Sequence, residues 1–407
     1  MNILLSSYSV NPYKGSEDAV GWSWTVMLSR RLPDSTIYLL TKKFNEEDTK
    51  KGIEQYDLKN VRLIIVDVPD CLNWFREKHS AFHHMYYILW QKYAYKWAKN
   101  CGIKFDIVHH ITMGNYRITG SMGKLDAYSI FGPVGGGQTT PAALRGYYKS
   151  QRLYEQYRDL VNKIFEKLPS YKKSINRFDK VYAVNEETKQ AIEKASGRKC
   201  EKLAEISISE ELKDIPARDR NNEATQIIYA GRFIELKGLM FLIDVIKEIK
   251  TDKPYHFTFY GSGELENEMK AKIKEYSLED KVTLGGLVDH TEISKIYENA
   301  DIFVHPTFRD SGGAVFVEAM AYRLPIIALN QSLSRELNDN KCGLFVNTEQ
   351  SKNEIIKEFA DKITLLIENR DLRQSLGENG FNYANSKFSL DYKFDTIYKN
   401  ILQNLYQ

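Results

Sequence analysis

At 407 residues the chain is long enough for two separately cored domains, and 43% hydrophobic with 27% charged residues is the balance of a globular protein, not of a disordered one. A net charge of +3 over that length is too small to argue for nucleic acid as a partner. Four scattered cysteines, Cys71, Cys101, Cys200 and Cys342, form no paired motif, which excludes a zinc ribbon and fits reduced thiols in the cytoplasm. The opening MNILLSSYS lacks the basic lead of a signal peptide, and no run approaches the roughly 18 apolar residues of a spanning helix.

Residues 2–6 read as a buried strand, followed by a loop through Pro12, Gly15, Ser16 and Glu17 and a helical run over 19–31. Strand, glycine-containing loop and helix open a doubly wound α/β domain, with the loop at the strand's carboxyl end where ligands bind. Strands continue at 36–40 and 61–66. Residues 73–99 are a helical stretch dense in aromatics, among them Trp74, Phe75, Tyr86 and Trp90. They serve either as core or as an acceptor- or membrane-facing surface. The strand at 105–112 carries His109 and His110, each readable as a core histidine or as a ligand contact at the sheet edge. After a strand at 129–131 come Gly135, Gly136 and Gly137. They form a flexible connector or let a substrate approach the backbone. Residues 142–180 are helical and carry ten basic against four acidic side chains. That reads as a solvated face, or as a patch for anionic lipid headgroups or a polyprenyl-diphosphate acceptor. A further strand covers 179–184, with Asn185 as a helix cap.

Periodicity lapses around 205–222, which contains Pro216 and reads as a linker. A second α/β series then begins with a strand at 226–230 and the loop Gly231-Arg232-Phe233-Ile234-Glu235-Leu236-Lys237-Gly238. Arg232 and Lys237 suit a diphosphate clamp, the first as a planar donor and the second as a point charge, or they are solvated loop charges. Strands at 256–260 and 282–284 run into Gly261-Ser262-Gly263 and Gly285-Gly286-Leu287. A strand at 301–304 enters HPTFRDSGGAVFVEAMAYRLP, residues 305–325. There Ser311, Gly312 and Gly313 precede a helix at 314–322, and free N–H groups at a helix start favour phosphate. Asp310 and Glu318 bracket that turn eight positions apart and would repel phosphate, so they face hydroxyls. Otherwise they are a helix-start acid and a solvated side chain. A strand at 325–329 and helices over 354–369, 371–385 and 392–405 close the chain.

These pieces resemble the family-4 retaining glycosyltransferases of the GT-B fold. The signature of that family is Glu, seven residues, Glu, then Ala-Met-Ala, Gly and Pro. Here Asp310 stands for the first Glu, and Glu318, Ala319, Met320, Ala321 and Pro325 follow the pattern. Arg323 replaces the glycine, so the helix is expected to end without a left-handed glycine. One branch of the family also carries Asp-Ser-Gly-Gly at this site, the Pro-x-x-Gly-Ser-Glu loop followed by Gly21-Trp22, the histidine pair with Thr112 and Arg117, and the triple glycine with Pro141.

The resemblance implies an α/β GT-B architecture of two Rossmann-like domains facing each other across a cleft. An acceptor domain would cover 1–207 with a crossing helix at about 388–407, and a nucleotide-sugar domain 208–387. It implies sugar transfer with retention from a donor, UDP- or GDP-linked, that is a substrate and not a cofactor, without a metal. Donor contacts fall to Gly15, Ser16, Arg232, Lys237, Gly261, Gly263, Leu287, Asp310, Ser311, Gly312, Gly313, Ala314 and Glu318. His109 or His110, Arg232, Lys237 and Asp310 serve the reaction. Glu17, Arg117, Gly136 and Gly137 meet the acceptor, a glycan or lipid-linked precursor of a surface polysaccharide. No side-chain nucleophile is assigned. The location implied is cytoplasmic, at the inner face of the membrane. The rival readings are a sugar-nucleotide epimerase of similar fold and a non-catalytic two-domain binding protein. A dehydrogenase is disfavoured because no Gly-x-Gly-x-x-Gly follows the first strand.

Overall fold

The computed structural model describes residues 1–15, 17–69, 83–217, 222–310 and 313–405. It divides into two compact units. One comprises Met1–Gly137, Leu160–Ser207 and Leu390–Gln407, and the other Gln138–Asp159 and Ile208–Ser389.

The first unit is a seven-stranded parallel sheet. Its strands are β1 (Asn2–Ser7), β2 (Thr36–Thr41), β3 (Val61–Ile65), β4 (Ile107–Thr112), β5 (Tyr128–Val134), β6 (Lys180–Ala183) and β7 (Glu201–Lys202). Their order is β3-β2-β1-β4-β5-β6-β7, so the winding reverses between β1 and β4. Side chains alternate across a strand, and both faces are covered. Ile3, Leu5, Ile37, Leu39, Ile107 and Ile111 pack on one side with Trp24, Met27 and Leu28 of helix α1 (Glu17–Arg31). Phe394, Ile397, Tyr398 and Ile401 of the closing segment join that layer. Leu4, Leu40, Val108, Phe131 and Val181 pack on the other side with Tyr86, Tyr87 and Trp90 of α2 (His83–Asn100). These aromatics are therefore core, while Trp74 and Phe75 lie outside the described residues. The polarity of α1 suits its dipole: Glu17 and Asp18 open it and Arg30 and Arg31 close it.

Helices α3 (Arg152–Phe165) and α4 (Pro169–Ile175) occupy the basic stretch. The segment Gln138–Asp159 groups with the second unit, not with the first. Hydrogen bonds explain this. The Glu235 carboxylate accepts from the backbone amides of Lys149, Ser150 and Gln151 at 3.0, 2.9 and 3.1 Å, and Tyr147 donates to Asp244 at 2.7 Å. Three successive amides on one carboxylate hold that loop as a helix terminus holds an anion. Burial alone would raise the Glu235 carboxyl, but these amides outweigh it and hold the group below its usual range.

The second unit has strands β8 (Thr225–Ala230), β9 (Tyr255–Tyr260), β10 (Val282–Gly286), β11 (Ile302–His305), β12 (Ile326–Leu329) and β13 (Gly343–Val346). All pair in parallel in the order β10-β9-β8-β11-β12-β13, reversing between β8 and β11. Helix α5 (Leu239–Lys247) is apolar on nearly every side, with Leu239, Phe241, Leu242, Ile243, Val245 and Ile246 all buried, as a fully covered helix requires. Helix α6 (Ala314–Ala321) follows the glycine turn. It ends, as the sequence implies, without a left-handed glycine. Arg323 takes the left-handed conformation itself, at φ 53°. A non-glycine residue there costs about 1 kcal/mol. The cost is offset by a 2.8 Å bond to Glu378, a bond to the Ile215 carbonyl and stacking at 3.5 Å on Phe381.

Candidate functional site

Ligands of open parallel sheets bind outside the carboxyl ends of the strands where the winding reverses. In the second unit that point lies between β8 and β11, and it carries the two residues singled out by charge. Lys237 leaves β8 through a short turn ending at Gly238, and Asp310 follows β11. Their Nζ and Oδ2 lie 2.6 Å apart, with the side chains 15% and 23% exposed. His305, the last residue of β11, sits beneath them. Its Nε2 is 3.5 Å from the same carboxylate oxygen, and its ring stacks between Tyr229 and Phe303. Burial alone would raise the Asp310 carboxyl, but His305 and the Lys237 ammonium outweigh it and hold the carboxyl well below its usual range. Burial pushes the His305 imidazole down, against the pull of Asp310. His305 is not among the site residues expected from the sequence. Its position, one residue from a strand end and five before Asp310, was the available signal.

Arg232 stands exposed at the rim of a cavity of about 260 Å³, and its guanidinium has no bonded partner among the described residues. The cavity is lined by Gly231, Tyr260, Gly261, Leu287 and Ile293. Leu287 is 81% exposed, an apolar side chain left open at the mouth. Gly261 has its own structural reason, because a Cβ there would sit 1.9 Å from the Gly231 carbonyl oxygen. The loops after β8 and β9 are thus pressed together, as are Gly263 and Phe233. Gly313, at φ 64°, caps α6, and a side chain there would meet Leu333 at 2.6 Å. Ala314 is the first residue of α6. Glu318, half-buried, accepts from the Tyr297 hydroxyl at 3.1 Å. Ser311 and Gly312 lie outside the described residues, as does Ser16.

In the first unit the pleat decides the histidines. Neighbours on a strand point to opposite faces. His109 turns toward α1 and the closing segment, with Nδ1 bonded to the Tyr398 hydroxyl and Nε2 to the Gly132 carbonyl, both at 2.7 Å. His110 turns toward α2, where Nε2 meets Tyr87 at 2.8 Å and Nδ1 meets Ser6 at 2.9 Å. Both rings are buried, with every nitrogen engaged, and burial pushes them down to about 3 and about 4. This is the geometry of core histidines, so a donor contact is not carried forward for either. Gly137 donates its amide to Thr188 at 3.1 Å, and the Gly136 carbonyl accepts from Asn162 at 3.2 Å. Gly15 is exposed. Arg117 bonds Asn115 and Asn162 and lines a cavity of about 320 Å³. Glu17, at the start of α1, accepts from the Gly114 amide at 3.3 Å, while its second oxygen has no hydrogen-bond partner among the described residues. Burial pushes its carboxyl up to about 7, with the Gly114 amide working the other way. A carboxyl that titrates near neutrality is suited to proton exchange.

Two parallel, doubly wound units, one with a cation–carboxylate pair at its switch point, define the chain as a two-unit α/β protein. Residues 211–383 match the family model described as glycosyl transferases group 1. The capsular polysaccharide biosynthesis glycosyltransferase CapM of Staphylococcus aureus is 31% identical over 170 residues, 41% of this chain and 43% of that protein. The alpha-D-kanosaminyltransferase of Streptomyces kanamyceticus is 24% identical over 46% of this chain and 50% of its own length. The chain thus spans about half, or less, of the curated relatives it matches. Among solved structures, HepE of Anabaena in complex with UDP and glucose superposes with a TM-score of 0.59 at 15% identity, covering 100% of this chain and 99% of that one. Sucrose-phosphate synthase of Thermosynechococcus elongatus superposes at 0.62, with 16% identity and 99% of each chain covered. The fold is GT-B.

Proposed function

We propose that the chain is a glycosyltransferase that moves a sugar from a nucleotide-sugar donor to an acceptor, with retention of anomeric configuration and without a metal ion. The observation that carries this reading is the Lys237–Asp310 pair at the β8/β11 switch, with Arg232, unpartnered among the described residues, nearby in sequence. Transfer breaks the bond from the anomeric carbon to the diphosphate oxygen, and the electron pair leaves with the diphosphate. Arg232 and Lys237 stabilise that charge as it develops, and they need no reorganisation to do so. Asp310, kept ionised, accepts hydrogen bonds from donor-sugar hydroxyls. Glu318, oriented by Tyr297, does the same for ribose hydroxyls. Leu287 covers the nucleotide base. The acceptor hydroxyl forms the new bond on the face that the diphosphate leaves, and its proton passes to the departing phosphate oxygen. Glu17 and Arg117 are the acceptor contacts in this reading.

The names of the relatives support the class: CapM of S. aureus is a capsular polysaccharide biosynthesis glycosyltransferase, and HepE was solved with UDP and glucose. By analogy the donor is a UDP- or GDP-sugar. The acceptor is a lipid-linked or surface-polysaccharide precursor met at the inner face of the membrane. The test is a thermal-stabilisation screen of UDP- and GDP-sugars, followed by product analysis of the one that binds. Raised melting with one donor class and nucleoside diphosphate release that needs an acceptor support the reading. Isomerised donor without release would make the chain an epimerase.

A further inference from the structure

Helix α3 is inside out. Along Arg152–Phe165 the buried residues are Glu155, Arg158 and Asn162, at 5%, 4% and 5% exposure. Spacings of three and four place them on one face. The opposite face holds Leu153, Tyr154, Tyr157, Leu160 and Ile164, between 48% and 77% exposed. A helix of a water-soluble surface shows the reverse pattern, with its apolar stripe covered. The inward polar face is held by hydrogen bonds and ion pairs. Glu155 accepts from Arg309 at 3.2 and 2.9 Å, and Arg158 donates to the Gln138 carbonyl. Asn162 accepts from Arg117 at 2.9 Å and donates to the Gly136 carbonyl. The helix is therefore seated by polar contacts, and its apolar face is turned out as a consequence of that seating. Rotating it to bury the stripe would strand a buried carboxylate and a guanidinium.

The charges around the stripe have one sign. Arg152, Lys163 and Lys167 are exposed. The acids of the same stretch are taken: Glu155 is buried on Arg309, Asp159 is paired with Arg145 and Glu166 with Lys194, each of the latter two at 2.8 Å. At the far end, Phe165 and Ile88 line the same cavity, and Ile88 and Met85 of α2 are themselves 41% and 50% exposed. Within the first unit, Ile88 of α2 thus lies beside Phe165 at the end of α3.

We propose that α3 is an interfacial helix that lays this face into an anionic lipid surface, with Arg152, Lys163 and Lys167 on headgroup phosphates. A large apolar face flanked by exposed Lys and Arg is the pattern that lies in the headgroup region of a bilayer. Each basic group near an anionic surface adds to the attraction. The proposal deepens the reading of a membrane-facing acceptor by naming the surface that faces it, and its test needs no transfer activity.

The full chain is sedimented with phosphatidylcholine vesicles, with and without phosphatidylglycerol. Two variants are compared: Tyr157→Ser with Leu160→Ser, and Lys163→Gln with Lys167→Gln. All four side chains are exposed, so melting temperatures should match the wild type. The wild type should bind the anionic vesicles and ignore the neutral ones. The apolar variant should lose about tenfold or more in partitioning, and the basic variant about 30-fold, the product of two headgroup attractions. UDP binding, measured alongside, should be unchanged in both, so loss of the membrane claim is separable from loss of the donor claim. Equal binding to neutral vesicles, no binding to either, or a wild-type dimer that the apolar variant converts to monomer would overturn the proposal.

Discussion

Asp310→Asn separates binding from turnover. In the free protein Lys237 is already engaged by Asp310 at 2.6 Å. A diphosphate that recruits Lys237 must draw it from that carboxylate. Two unit charges about 3 Å apart attract by roughly 5 kcal/mol at an effective dielectric of about 20. Most of that is returned by hydration when a partly exposed pair opens, leaving a net of about 1 kcal/mol. Removing the negative charge while keeping the shape should therefore tighten UDP or GDP binding by roughly 5-fold. Turnover should move the other way. The asparagine no longer offers charge-assisted bonds to the donor sugar, which contribute about 1.5–3 kcal/mol, so the rate should fall roughly 10- to 100-fold. Calorimetric titration of the nucleotide and steady-state nucleotide release on the same preparation read the two quantities. Weaker nucleotide binding with normal turnover would refute the reasoning and leave Asp310 as a helix-start acid.

In the proposed reading cationic side chains do the electrostatic work, so activity should survive EDTA; loss on chelation with rescue by magnesium or manganese would contradict it. Lys393 is buried with its ammonium 2.7 Å from the Glu205 carbonyl, and burial pushes it down to about 7. Its folded value lies below its unfolded one, so between about pH 7 and pH 10.5 the unfolded chain holds the extra proton and stability rises with pH. Lys393→Met should flatten that slope and add up to about 4 kcal/mol at pH 7, read by denaturant titrations at several pH values. For Asp310 the slope has the same sign at the acid end: its folded value is also depressed, so the pair's contribution is present above the unfolded carboxyl range and fades as pH falls below it. The acid limb of the melting curve should accordingly shrink in Asp310→Asn.

The sheets were legible because a parallel strand covered on both faces is a short apolar run, and eleven such runs stand between glycine or proline signals. The strands missed are β7 and β13. The first has two residues, both exposed, and the second is a four-residue run opening on Gly343, whose missing side chain weakens the strand signal. Charge at the site was legible too, since Arg232, Lys237 and Asp310 all fall in loops at strand ends. What could not be read was direction. His109 and His110 differ by one residue and hence by one face, and each found partners far along the chain, Tyr398 for one and Tyr87 for the other. The grouping of Gln138–Asp159 depends on Glu235, whose carboxylate takes amides more than eighty positions away. Helix α3 shows the same limit. Its composition reads as an ordinary basic helix, and only the seating of Glu155 and Arg158 reveals which side is out.

The most direct measurement is acceptor-dependent release of nucleoside diphosphate by the wild type, Arg232→Ala and Lys237→Ala, using the donor that stabilises the protein. Loss of a main charge stabiliser should cost each variant roughly 100-fold or more while its melting temperature stays near the wild type's. Full release by both variants would contradict the assignment of the β8/β11 switch as the donor site.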